Sequence, residues 1–177
     1  SFLELDTLGI SKEANDLLIN YLTQINESIE SNDLYSSLKK GEIENFIFKF
    51  KRLLFIPSYF DITKSDRERV FHIFLLGILE GRLNNYINKS NKESGFGRYD
   101  ICLNPVDNRD PGVIVEIKKV KEDSKDEEIQ LELNSAIEQI KSKNYSFELR
   151  EDGVKKIVYI SIVFNGLVPN LKWIFQE

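Results

Sequence analysis

Residues 97–121 read GRYDICLNPVDNRDPGVIVEIKKVK, and the alternation within this stretch decides the fold. Tyr99, Ile101 and Leu103 are apolar at every second position, and Val113, Ile114, Val115 and Ile117 form a β-branched run that Glu116 and Lys118 interrupt. Both runs read as strands. Pro105 and Pro111 bound the connection, so antiparallel pairing with Asn104 opposite Gly112 closes a seven-residue loop, 105–111. Asp100 then faces Glu116 and Arg98 faces Lys118. Tyr99, Ile101, Leu103, Val113, Val115 and Ile117 share the other side, which is apolar as a core-facing side must be. A slip of one residue keeps that apolar face but offsets the carboxylates.

The register has a chemical consequence. Opposed side chains on one face hold their Cβ atoms about 4.5–5.5 Å apart, and like charges there repel. Two such carboxylates raise each other's proton affinity unless something positive lies between them. A hard divalent cation such as Mg²⁺ takes carboxylate oxygens, keeps several waters and relieves the conflict. Lys118, two residues past Glu116, lies on the same face. It could hold a water, polarise a scissile group or steady a developing charge. A charged hairpin face turned to solvent is the plainer reading of any isolated D…ExK match, but strand parity favours a metal site here.

Composition narrows the rest. The chain has 177 residues, enough for one domain with a substantial core. It has no methionine, and the expectation is a fragment or processed product. The single cysteine, Cys102, excludes a disulfide framework or thiolate zinc site within the chain, and the single histidine, His72, excludes a multi-histidine cluster. No signal-like leader opens the sequence, and no apolar run approaches the ~20 residues of a membrane span. A cytoplasmic, non-membrane protein is expected. The net charge of −5 argues against coating nucleic acid through bulk electrostatics. Residues 86–121 nevertheless carry seven basic against five acidic side chains, a locally basic stretch on an acidic body.

Helices are expected over 11–30, 33–40, 42–56 and 66–84, the third with Ile43, Phe46, Ile47, Phe50, Leu53 and Leu54 on one face. Ser65 and Glu68 form a capping box for the fourth. Glu68 and His72, four apart, share a face. On the residues alone, Glu68 caps the helix and His72 is a satisfied, partly buried polar group. A strand is expected over 86–93, a glycine turn at 94–97, then the hairpin. Ser124 with Glu127 reads as the capping box of a helix reaching about Tyr145, with Ile129, Leu133, Ala136, Ile137 and Ile140 as its apolar stripe. Gly153 breaks the chain before a buried strand, 156–164, and 171–175 reads as a last strand. The order gives an α/β fold with a mixed sheet, the crossover helix making the long strand parallel to its neighbour.

Several stretches together resemble the PD-(D/E)xK nuclease superfamily, more closely its branch of nuclease-like domains that usually follow an AAA-ATPase-like domain. They are Leu38-Lys39-Lys40-Gly41-Glu42, Glu68-Arg69-Val70-Phe71-His72, SNKESGFGRYD at 90–100, residues 114–118 and AIEQIKSKNY at 136–145. The resemblance implies a restriction-endonuclease-like αβββαβ core over 61–177, with residues 1–60 a helical segment packed on it. It implies that Asp100 and Glu116 bind Mg²⁺ or Mn²⁺ and that Lys118 is the catalytic lysine. Glu68 matches the helical acid of the first motif and a further metal ligand, His72 the adjacent histidine, and Gln139 and Tyr145 a Q-x5-Y element. This reverses the reading of Glu68 and His72 made on the residues alone. Tyr99 stands where the superfamily's naming proline would be. The implied activity is metal-dependent cleavage of DNA, ahead of RNA, beside an N-terminal ATPase-like domain. The alternative is a catalytically silent nuclease fold that binds proteins. A serine hydrolase built on His72 lacks a nucleophile elbow.

Overall fold

The computed structural model describes residues 33–54, 83, 85–89, 99–142, 144–166 and 168–177. The expected helices over 11–30 and 66–84 and the glycine turn at 94–97 lie outside these residues. Helix α1, Asp33–Lys39, is closed by Gly41 at a φ of 73°. Its left-handed conformation lets Gly41 N–H reach Leu38 C=O and Glu42 N–H reach Ser37 C=O, at 3.0 and 2.9 Å. Helix α2, Ile43–Leu54, follows at once and buries the six residues expected of it.

Five strands form one sheet in the order β1-β2-β3-β4-β5: β1 Tyr86–Asn88, β2 Tyr99–Pro105, β3 Gly112–Val120, β4 Ile157–Asn165 and β5 Val168–Gln176. Strands β2 and β3 are antiparallel with Asp100 opposite Glu116 and Leu103 opposite Val113, the register read from loop length and parity. Strand β4 runs parallel to β3. Parallel neighbours need a crossover, here helix α3, Asp126–Ser142, and helix α4, Asn144–Glu151. The mixed sheet and its helices have the α/β architecture of a restriction-endonuclease-like core.

Three details differ from expectation. Strand β1 ends at Asn88, with Lys89 outside it, and the remainder of the expected strand, 90–93, lies outside the described residues. The cap of α3 sits one residue later, with Lys125 N–H donating to Glu128 Oε2 at 3.2 Å in place of the Ser124–Glu127 pair. Residues 144–151 form a helix of their own instead of ending α3.

Both faces of the sheet are covered. On one, Ile101, Leu103, Val113, Val115, Ile117, Val158, Ile160 and Ile162 pack with α1 and α2 in a single core. On the other, Cys102, Ile114, Ile157 and Tyr159 pack with Ile137 and Ile140 of α3 and Leu149 of α4. Strands enclosed this way carry near-continuous apolar runs, as in IVYISIVF. Helix α4 ends as α1 does. Gly153, at a φ of 88°, lets Val154 N–H bond Leu149 C=O at 3.0 Å, and both side chains enter the core.

The β2–β3 loop is clamped from two directions. Tyr86 Oη donates to Pro111 C=O and Tyr35 Oη to Asp110 Oδ2, each at 2.7 Å. The two rings meet edge to face at 6.1 Å. At the sheet edge, Asp152 accepts from Lys89 Nζ at 2.5 Å and from Asn104 Nδ2 at 2.6 Å, joining the segments that flank β1 and α4.

Those bonds hold the Asp152 carboxyl below its ordinary value of 3.8, Lys89 contributing most and Asn104 next. A depressed native value means that the stabilisation is complete above the unfolded value and disappears as pH falls through the native one. Asp152→Asn is therefore expected to melt below the wild type at neutral pH, with the gap closing as pH drops below 3.8. Melting curves of both proteins from neutral to strongly acidic pH check this. A gap that does not change with pH assigns the loss to something other than the Asp152 charge.

Candidate active site

Strand β3 carries the candidate groups because its pairing is fixed on both edges. Glu116 lies opposite Asp100 on β2 and beside Ser161 on β4, and Ser161 lies opposite Lys172 on β5. Asp100, Glu116, Ser161 and Lys172 thus occupy one row across the sheet. Strand parity assigns the Glu116 and Ser161 side chains to the side covered by α3, where Ile114 and Tyr159 pack.

That side is enclosed. Glu116 is 0% exposed and Lys118 8%, so the charges do not form a solvated hairpin face. Lys118 Nζ lies 2.9 Å from Glu132 Oε1 on α3. Ser161, fully buried, donates from Oγ to Leu133 C=O at 3.1 Å and so ties β4 to the helix beside Glu132. Lys172 Nζ reaches Asn134 Oδ1 on the same helix.

Of the residues singled out in the sequence, Glu116 and Lys118 come together beneath α3, and Asp100 is in register with Glu116. Gln139 lies seven residues past Glu132 on α3, hence on its face, and its Nε2 donates to Ser135 Oγ at 3.3 Å. Its Oε1 is buried without a hydrogen-bond partner among the described residues. Tyr145 belongs to α4 rather than α3, so Gln139 and Tyr145 do not share one helix as the Q-x5-Y reading expected. Glu68 and His72 lie outside the described residues. Burial pushes the Cys102 thiol up to about 12, with the Glu148 carboxylate adding to the rise, which disfavours the nucleophilic thiolate.

Ser161 and Glu132 were missed from sequence. Ser161 is hidden within an apolar run, and Glu132 reads as one more acid on a charged helix. The signal for Glu132 was its seven-residue spacing from Gln139, two helical turns along one face.

The donor set suits a hard divalent cation. A carboxylate with no exposure, in register with a second acid on the next strand, offers the hard oxygen ligands such a cation takes. Among the described residues no three His, Cys, Asp or Glu groups converge on a cation. Glu68, the third acid expected, lies outside them. Nor is any helix among the described residues long and apolar enough to cross a membrane.

No curated protein and no solved structure matches the chain. A family model of the PD-(D/E)XK nuclease superfamily matches residues 66–173. The match covers more than half of the chain and runs through Asp100, Glu116, Lys118 and Gln139 to β5. Nucleases of this superfamily generally use divalent metal ions. With the buried ExK strand and the mixed sheet that presents it, the match establishes that the chain belongs to the PD-(D/E)XK nuclease superfamily.

Proposed function

We propose that the protein is a Mg²⁺- or Mn²⁺-dependent nuclease that hydrolyses phosphodiester bonds in DNA, ahead of RNA. The observation that carries this reading is the fully buried Glu116, in register with Asp100 and two residues from Lys118 on the same face. Asp100 and Glu116 would hold the cation through carboxylate oxygens, with Glu68 as a further ligand. When bound, it would supply charge neutralisation of the phosphodiester and a lowered pKa for a coordinated water. Lys118 presents its ammonium to the reacting phosphate, where negative charge grows on the phosphoryl oxygens as the P–O bond breaks. Gln139 has an acceptor oxygen left over from its bond to Ser135 and serves substrate or water positioning. His72 and Tyr145 complete the set as flanking polar groups.

The shared core of α1, α2 and the sheet supports reading residues 1–60 as packed on 61–177 in one compact domain. In the complete protein this domain follows an ATPase-like domain and works in the cytoplasm, where it meets nucleic acid. The acidic net charge of −5 favours a second reading, a silent nuclease fold that binds proteins. The intact Asp, Glu and Lys set favours the enzyme. Incubation with supercoiled, linear and single-stranded DNA under Mg²⁺, Mn²⁺ or EDTA decides between them: no cleavage under any metal sinks the enzyme reading.

Asp100→Ala and Glu116→Ala are each expected to abolish metal-dependent cleavage while the circular-dichroism spectrum stays folded. The double variant should be little worse than either single one, because ligands of one ion act as a unit. Lys118→Ala should lose turnover by roughly 10²–10³-fold, the scale of removing one preorganised donor to transition-state charge. Full activity in any single variant removes that residue from the site.

A second expectation needs no substrate. A cation that binds only the folded form stabilises it by RT ln(1 + [L]/Kd), about 2.7 kcal/mol at a hundredfold excess over Kd. Each 1 kcal/mol raises the melting temperature of a domain this size by roughly 2–4 °C. Mn²⁺ should therefore raise the melting temperature of the wild type and leave that of Glu116→Gln where it was. Equal shifts in the two proteins exclude Glu116 as a ligand.

A further inference from the structure

Helix α2 buries Ile43, Phe46, Ile47, Phe50, Leu53 and Leu54, yet Phe48 among them is 63% exposed. A lone exposed phenylalanine is ordinary surface, but this one has company. Lys51 and Arg52, three and four residues on, are exposed on the same side of the helix. The Arg52 guanidinium lies over the Phe48 ring, 6.0 Å from its centroid. Neither cation pairs with a carboxylate among the described residues. Ser37 of α1 accepts from Asn45 and Lys49 of α2 at 3.4 and 2.9 Å, which sets the end of α1, with Lys39 and Lys40, beside α2. Residues 39–52 hold five basic side chains against two acids, a net of +3 within a chain of −5. The comparable ring on α4, Phe147, has Glu151 where Phe48 has Arg52. An exposed ring beside unpaired cations, in a stretch of opposite sign to the whole chain, complements a polyanion with flat apolar faces. Nucleic acid is such a polyanion: bases stack on aromatic rings and Lys or Arg takes the phosphates. Bases in a duplex already stack on one another, so the ring selects a single strand.

We propose that Phe48, Lys51 and Arg52 form a docking face for single-stranded nucleic acid, with Phe48 stacked on a base and the two cations on neighbouring phosphates. The proposal rests on the nuclease reading above, which supplies the nucleic acid. Helix α2 covers the sheet face opposite α3, so this face holds the strand and takes no part in breaking it.

The test is fluorescence anisotropy of labelled single-stranded and duplex oligonucleotides in EDTA, beside Mn²⁺-dependent cleavage of the single strand. It compares wild type with Phe48→Ala, Phe48→Leu, Phe48→Tyr, Lys51→Gln and Arg52→Gln. Phe48→Ala is expected to weaken single-strand binding roughly 5–100-fold, the scale of one base–aromatic stack. It should raise KM for the single strand and leave kcat where it was. Phe48→Leu, apolar but without a π-face, should follow Phe48→Ala, whereas Phe48→Tyr should bind like the wild type. Lys51→Gln and Arg52→Gln should each flatten the dependence of log Kd on log salt by about 0.7, one phosphate contact on a single strand. Duplex affinity should not depend on Phe48. Any of three results overturns the proposal: wild-type single-strand affinity in Phe48→Ala, as expected of a face that docks a protein instead, wild-type affinity in Phe48→Leu, or an equal loss on the duplex. Cleavage by the wild type with binding indifferent to Phe48 strikes only this docking face. Binding that depends on Phe48 without cleavage under any metal strikes only the nuclease reading.

Discussion

Strand β3 is hydrogen-bonded along both edges and covered on both faces as far as Lys118, and the charges of Glu116 and Lys118 must be reconciled with that enclosure. The parallel pairing with β4 is the origin. It obliges the chain to cross over, and α3 and α4 lie on the crossing, over the face that carries Glu116 and Lys118. A meander would have left that face open to water. The crossover instead puts an acid where ionisation is costly unless cations or donors compensate it. An acidic partner strand, a lysine two residues on and a helix bearing Glu132 are arranged around this single constraint.

Much of this arrangement was legible in sequence because it follows from parity and from glycine. Side chains alternate strictly on a strand, so one loop length fixes every opposed pair between β2 and β3, and Asp100 opposite Glu116 followed. Gly41 and Gly153 stand where helices must end with left-handed backbone. The stripes of α2 and α3 each bury the residues their spacing indicated. These are local rules, and no tertiary contact overrides them here.

What was not legible depends on neighbours in space. The start of α3 could use Ser124 with Glu127 or Lys125 with Glu128, since acids recur through this segment and either box satisfies the end of a helix. The fold uses the second. The separate helix α4 follows from Leu149 and Val154 packing under the sheet, a requirement that no periodicity announces. Glu132 was hidden for a related reason. It stands at the border of an apolar stripe, beside Leu133, and border positions of an amphipathic helix face solvent or a neighbour according to how the helix is rolled.

That roll is set by the core, so the site inherits its geometry from packing rather than from the charges. Ile129 and Leu133 lie on Val163, Ile137 and Ile140 lie against Ile114 and Tyr159, and Ser161 bonds the helix backbone between them. With those contacts made, the border position at 132 falls over Lys118 and position 139 stays on the same face. The ion pair alone could not fix this. Glu132 is partly exposed, and a single half-solvated pair contributes about 1 kcal/mol or less. The apolar contacts of one helix with two strands bury several side chains, each worth roughly 1.5–3 kcal/mol. Apolar packing therefore places the helix, and the weaker Lys118–Glu132 ion pair forms where the helix already lies.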